Sequence, residues 1–368
     1  QSCINCDSCN EICDTYLVSQ NLHQSPNGRL KIAKKIFSNE KITNDEKFGL
    51  YTCTLCALCN IKCEQGIEIS KIIHYSKIKL VEQKEAPYDV HRKIIKGIME
   101  NDNSVGGILD ERLNWLPIHY RNTEIYEKNP SDTLLFLGCM SSFKVKESAY
   151  TSYEILKIGG FDFKILEHEP CCGEYIYSAG NLELAKKKFQ ENFKIFQKNG
   201  IKNIIVTCGG CLYAFNNVYP QYIEDWDIKI KHIIQIVYEL EKNHKIKLNN
   251  LGKNITYHDA CRLGRKLNNI DIYDEPRELL KKCGYFINEL EANRLNSPCC
   301  GAGSGIRGVD SELCINTGFR VINRVKDKVI ITSCPLCVFN FRYIDYKKKT
   351  DKTIQYITDV LLESIKNK

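Results

Sequence analysis

One cysteine pattern occurs twice in the second two-thirds of this 368-residue chain, and it limits the possible folds more than any other feature. The first copy is Cys139, then Cys171-Cys172-Gly173, then Cys208-Gly209-Gly210-Cys211; the second is Cys261, then Cys299-Cys300-Gly301, then Cys334-Pro335-Leu336-Cys337. The lone cysteine precedes its pair by similar intervals in the two copies (139 to 171; 261 to 299), and so does the pair its closing CxxC (172 to 208; 300 to 334). Each copy offers five sulfurs, one more than a cubane [4Fe–4S] cluster uses. Adjacent cysteines are awkward ligands for one iron and suit two neighbouring irons, so five thiolates at one site imply an iron–sulfur cluster of unusual shape.

Two further cysteine runs precede this repeat. Cys3, Cys6, Cys9 and Cys13 follow the spacing x2-x2-x3, and Cys53, Cys56, Cys59 and Cys63 repeat it. This is two-cluster ferredoxin spacing, in which the fourth cysteine of each run serves the other cluster. Cys3, Cys6, Cys9 and Cys63 are therefore expected to hold one cubane, and Cys53, Cys56, Cys59 and Cys13 a second. Asp14 and Glu64 stand where a proline usually follows the fourth cysteine; the change alters the turn and removes no ligand. Structural zinc also uses CxxC pairs, but triple cysteines at x2-x2 spacing in both runs fit it poorly. Of the 20 cysteines, only Cys283 and Cys314 fall outside these motifs.

The remaining pattern places the motifs on elements. Leu30–Phe37, Ile67–Lys84 and Val90–Met99 read as helices by apolar spacing. Residues 101–130 are polar with Gly106-Gly107 and read as an irregular linker, pinned by Trp115 and Leu116. Short apolar runs, Thr133–Leu137, Phe163–Leu166 and Ile204–Thr207, lead toward the ligands of the first copy, with a helix over Leu182–Gln197. Ile255–Tyr257, Phe286-Ile287 and Val329–Thr332 do so in the second, with a helix from Glu275. Alternating strand and helix predicts parallel α/β units with ligands at carboxyl strand ends, and the offset between copies predicts two similar halves packed face to face. The fold class expected is α+β: an N-terminal α-helical two-cluster domain (1–100), a linker (101–130), and two pseudo-symmetric α/β domains (131–245 and 246–368).

The cysteine set resembles the CCG domain of the heterodisulfide reductase family, in its D and B subunits, a family that includes the B subunit of thiol:fumarate reductase. The turn Ser25-Pro26-Asn27-Gly28-Arg29 between the two N-terminal runs is similar to segments in both the heterodisulfide reductase and the glycolate oxidase iron–sulfur subunits. The resemblance implies two noncubane [4Fe–4S] clusters, one on Cys139, Cys171, Cys172, Cys208 and Cys211, the other on Cys261, Cys299, Cys300, Cys334 and Cys337. It implies interconversion of the heterodisulfide CoM-S-S-CoB with its two thiols between those clusters, wired by two cubanes to a redox partner, either a flavoprotein or a membrane cytochrome. The alternative is an electron-transfer subunit of the glycolate, lactate or glycerol-3-phosphate dehydrogenase type with no substrate of its own. His258 and Asp259 resemble a His-Asp-x-Cys segment of the second CCG domain. His258, Arg262 and Arg265 are candidate substrate-binding residues, the arginines for anionic groups; strand-end capping and solvated surface charge are the competing readings.

Composition excludes other classes. The formal net charge of +7, from 52 basic and 45 acidic side chains, comes without a basic block interleaved with aromatics, so nucleic acid is not an expected partner. No apolar run is long enough to span a membrane, and no secretory signal is visible. A reducing cytoplasm, or its membrane face through a partner, is the expected location. No GxGxxG follows a strand, so flavin is not expected on this chain. The chain begins at Gln1, already beside a ligand motif, so preceding residues are expected; what they encode is not readable, and there is room for the [2Fe–2S] domain that the B subunit of thiol:fumarate reductase carries upstream.

Overall fold

In the computed structural model, residues 3–121, 131–268 and 270–367 are described. The first unit is helical. Pro26–Phe37 begins at Ser25, whose hydroxyl accepts from the Gly28 N–H, with Pro26 in the first turn, where its missing N–H costs nothing. Asn44–Tyr51 starts in a capping box between Thr43 and Glu46. Ile69–Glu82 and Asp89–Asn101 follow, close to the expected spans. Ile32, Ile36, Leu50, Ile69, Ile73 and Leu80 bury a small core against the cysteine runs.

Two parallel sheets follow. The first has the order β1 (Thr133–Phe136), β2 (Asn203–Val206), β3 (Lys229–His232). In the second, β4 (Asn254–His258) lies between β5 (Phe286–Ile287) and β6 (Val329–Thr332), and β7 (Thr353–Tyr356) adds to β6. The sheets correspond strand for strand: β1 with β4, β2 with β6, β3 with β7. The strand expected over Phe163–Leu166 shrinks to one parallel bridge, Leu134 with Lys164, on the edge where β5 sits in the other sheet. Strands β3 and β7 carry no clear sequence signal. Their alternating sequences, Lys229-Ile230-Lys231-His232 and Thr353-Ile354-Gln355-Tyr356, suit edge strands that keep one face wet.

The halves pack together through the helices Lys146–Ile158 and Ile357–Lys366, where Thr151 Oγ1 meets Thr358 Oγ1 at 2.6 Å. The Tyr356 hydroxyl donates across the interface to the Thr207 carbonyl at 2.7 Å. The first helical unit docks on both halves. Tyr51 donates to the Ala179 carbonyl (3.1 Å), and buried Lys77 donates to Ser304 Oγ (2.8 Å). Among the described residues, no helix is long and apolar enough to cross a membrane.

The stretch expected to be a linker enters the core through Arg112, Leu113, Trp115 and Leu116; its part 122–130 lies outside the described residues. Trp115 and Leu116 are buried as expected. Arg112 is buried too: it pairs with Glu169 (3.0 Å) and donates to the Asp102 carbonyl (2.6 Å). Two buried charges persist because each satisfies the other.

Candidate functional site

The N-terminal cysteine runs turn in the same way. Asn5 and Asp7 in the first, Leu55 and Ala57 in the second, occupy the left-handed region at matching positions. Such residues cost of order 1–3 kcal/mol each, and alternation of this kind turns backbone N–H groups toward one concavity, an arrangement that favours anions. The Leu55 N–H reaches Cys53 Sγ, and the Ile67 N–H reaches Cys63 Sγ, each at 3.4 Å. Cys3, Cys6, Cys9 and Cys63 line one cavity; Cys13, Cys53, Cys56 and Cys59 line another, together with Cys299. The fourth cysteine of each run thus stands with the other run's first three. Arg29, buried, reaches Cys13 Sγ (3.8 Å) and Thr15 Oγ1 (3.2 Å).

Strand ends deliver the repeated sets. Leu137, Gly138 and Cys139 follow β1, and Glu169 accepts from the Leu137 (2.7 Å) and Gly138 (2.8 Å) N–H groups, fixing that turn. Burial pushes the Glu169 carboxyl up to about 7. Gly138 has φ +72°, and a Cβ there would stand 3.0 Å from Cys211 Sγ. An asparagine pins each pair turn, at a different point in each half: Asn192 Nδ2 donates to the carbonyl of the first cysteine, Cys171 (2.7 Å), and Asn340 Nδ2 to that of the second, Cys300 (2.6 Å). Ser104, from the stretch before β1, meets Cys139 Sγ at 3.3 Å.

The thiols of each set lie within hydrogen-bonding reach of one another: Cys172 with Cys171 and Cys211, Cys300 with Cys299 and Cys337. Those contacts hold Cys172 and Cys300 below the usual thiol range. The sets also touch. Cys208 meets Cys334 across the two halves, and Cys56 meets Cys299 across the boundary with the helical unit. So many buried sulfurs repel as thiolates unless a positive centre holds them, and the donor set suits iron–sulfur groups. Among the described residues, no three of His, Cys, Asp or Glu converge as a site for a single metal ion.

A cavity of about 360 Å³ opens at the first set and is lined by all five of its cysteines. From the second half it takes Arg262, Ala302, Ser304, Gly305, Arg307, Leu336 and Phe339, but none of that half's five ligand candidates. A polar cavity of about 160 Å³ lies beside it, and Glu174 and Arg262, an ion pair, line both.

The candidate substrate residues fare unequally. Arg262 reaches the cavity, but with its charge matched by Glu174. Arg265 is a backbone clamp: Nε donates to the Cys56 carbonyl (2.8 Å), Nη1 to those of Leu295 (3.2 Å) and Ser297. It lines only the polar cavity. His258 is buried, with Nε2 3.2 Å from the Pro298 carbonyl and Nδ1 3.5 Å from Thr332 Oγ1, and it lines neither cavity. Asp259 takes a bidentate pair from Arg277 at 2.8 Å. Cys283 and Cys314 are buried outside the sets. Sequence reasoning missed Ser104, Arg112, Glu174 and Tyr175; only Glu174 and Tyr175, directly after Gly173, carried a positional signal.

The cysteine-rich CCG domain family matches residues 133–216 and 255–342, and the 4Fe-4S dicluster domain family matches residues 1–67. The chain is 26% identical to the D subunit of dihydromethanophenazine:CoB–CoM heterodisulfide reductase from Methanosarcina mazei, over 99% of this chain and 93% of that protein. It is 25% identical to the B subunit of fumarate reductase (CoM/CoB) from Methanothermobacter marburgensis, over 93% of this chain and 67% of that protein. It is 30% identical to an EtfAB:quinone oxidoreductase of Syntrophomonas wolfei, over 78% of this chain and 42% of that protein.

Proposed function

Since this chain belongs to the CCG-domain iron–sulfur oxidoreductase subunits, the family of the heterodisulfide reductase D subunit and the fumarate reductase (CoM/CoB) B subunit, we propose that it interconverts CoM-S-S-CoB with its two thiols, exchanging electrons with a flavoprotein or cytochrome partner. Cys3, Cys6, Cys9 and Cys63 hold one cubane; Cys53, Cys56, Cys59 and Cys13 hold the other. Cys139, Cys171, Cys172, Cys208 and Cys211 hold one noncubane cluster, and Cys261, Cys299, Cys300, Cys334 and Cys337 the second. When bound, these groups supply one-electron carriers from the surface to the cavity, and a disulfide takes two electrons and two protons to become two thiols.

The observation that carries this reading is the order of the sulfur sets. Cys3 and Cys6 are exposed. Cys9 lies within electrostatic reach of Cys59, Cys56 meets Cys299, and Cys334 meets Cys208. The line ends at the set that opens into a cavity wide enough for a small organic molecule. The protein's own residues shape that end: Ile94, Val105, Met140, Leu336 and Phe339 exclude water, while Lys144 and Arg307 set a positive border that suits anionic substrate groups.

The test is anaerobic turnover: the iron-loaded chain, prereduced with a dye, is expected to cleave CoM-S-S-CoB and release two thiols. Dye oxidation that needs a quinone or a partner protein, with no thiol release, supports the other reading, electron transfer without a substrate. The likeness to the quinone oxidoreductase of S. wolfei favours that second reading.

A further inference from the structure

Breaking a disulfide places negative charge on sulfur, and a buried thiolate needs a donor. Tyr175 lines the cavity with the five first-set cysteines. Its hydroxyl lies 2.9 Å from Nδ1 of His91, which is wholly buried behind it. Gly305 completes the wall. A Cβ there would stand 2.7 Å from the Tyr175 hydroxyl and 2.6 Å from His91 Cε1, so only glycine, at φ +73°, leaves space for the pair.

His91 Nε2 is buried with no hydrogen-bond partner. A buried N–H without an acceptor is rarer than a buried acceptor without a donor, so the proton belongs on Nδ1. Nδ1–H then donates to the tyrosine oxygen and leaves the hydroxyl hydrogen free for the cavity. Burial, reinforced by Lys77, lowers His91 to about 4, so the ring is neutral. Burial, then the charge of Glu174, raises the Tyr175 phenol above its ordinary range, so it keeps its proton and serves as a donor without ionising.

We propose that Tyr175 is a catalytic hydrogen-bond donor to the substrate sulfur that gains negative charge as the S–S bond opens, and that His91 is the residue that positions it. The proposal rests on the disulfide reading above. The electron pair comes from the redox partner, one sulfur leaves as the thiolate held by Tyr175, and both products take their protons from solvent.

The experiment compares wild type with Tyr175→Phe in the iron-loaded full chain, reading turnover and, by anaerobic calorimetry, affinity for an aliphatic thiol product. Tyr175→Phe is expected to lower kcat about ten- to a hundredfold with KM nearly unchanged, as for loss of a donor to charge, and to weaken thiol binding in parallel. His91→Leu is expected to act similarly and His91→Asn, which keeps an N–H donor, to recover part of the loss. If Tyr175→Phe loses iron, 3-fluorotyrosine at position 175 replaces it; a more acidic phenol is expected to tighten thiol binding. Wild-type kcat and thiol affinity in Tyr175→Phe, or unchanged thiol affinity with 3-fluorotyrosine, overturns the proposal while leaving the disulfide reading intact. Absence of disulfide turnover by the wild type sinks both.

Discussion

Asp14 shows how a single side chain departs from a motif for a structural reason. It replaces the proline expected after Cys13. Its carboxylate accepts from the Cys299 N–H at 2.9 Å and from Arg320 Nε at 3.5 Å. The position was legible as a deviation, but its partner lies 285 residues away, and nothing local announces it. The same holds for Arg265, whose carbonyl partners come from two other segments. Asp14→Ala leaves a buried N–H unpaired; a loss of about 1–3 kcal/mol is expected, read as a lower denaturant midpoint at unchanged slope. Cys13→Ser tests ligand crossing at the same scale. Cys13 shares a cavity with Cys53, Cys56 and Cys59, so low-temperature EPR should lose that cubane's signal and keep that of Cys3, Cys6, Cys9 and Cys63. Loss of the other signal instead would refute crossing.

At the level of elements, apolar strands that run into cysteines were readable because burial and ligand delivery coincide there. Edge strands β3 and β7 were not, since lysine and glutamine interrupt their apolar positions. The helix that follows β7 carries a testable pH effect. Asp359 caps Ile357–Lys366, accepting from the Tyr356 N–H (3.2 Å) and Thr151 Oγ1 (3.0 Å). Burial, then the charge of Glu147, raises its carboxyl to about 7. A raised folded-state pKa means that the folded protein holds the proton longer than the unfolded chain, so this contribution is complete below the ordinary aspartate range and is lost as pH rises through about 7. Stability should fall by roughly 1 kcal/mol between pH 6 and pH 8. Asp359→Asn, which still caps, should reduce that slope in chemical denaturation and leave the share of Glu169, whose carboxyl burial also raises to about 7; an unaltered slope would place the titration elsewhere.

For the whole molecule, duplication was legible from spacing, and so was the division into a helical unit and two α/β halves. Asymmetry between the halves was not. The cavity opens at the first set because Ala302, Gly305 and Leu336 of the second half form its far wall, whereas the second set faces Cys56 of the helical unit. About 16 irons per chain are expected on the four-cluster reading, at four per cluster; anaerobic iron and sulfide analysis giving about half that would remove the clusters of the α/β halves. Cys56 and Cys299 also bear on biogenesis. Their contact closes one cysteine site with a residue from the last quarter of the chain, and Lys77 fastens the same boundary through Ser304. On the four-cluster reading, this contact predicts an order of maturation: the inner site, with Cys53 and Cys59 buried, loads before the C-terminal half docks, and the site beside exposed Cys3 and Cys6 loads at any time. Metal-free protein that has already folded should accept iron at the outer site alone, until mild denaturant reopens the inner one.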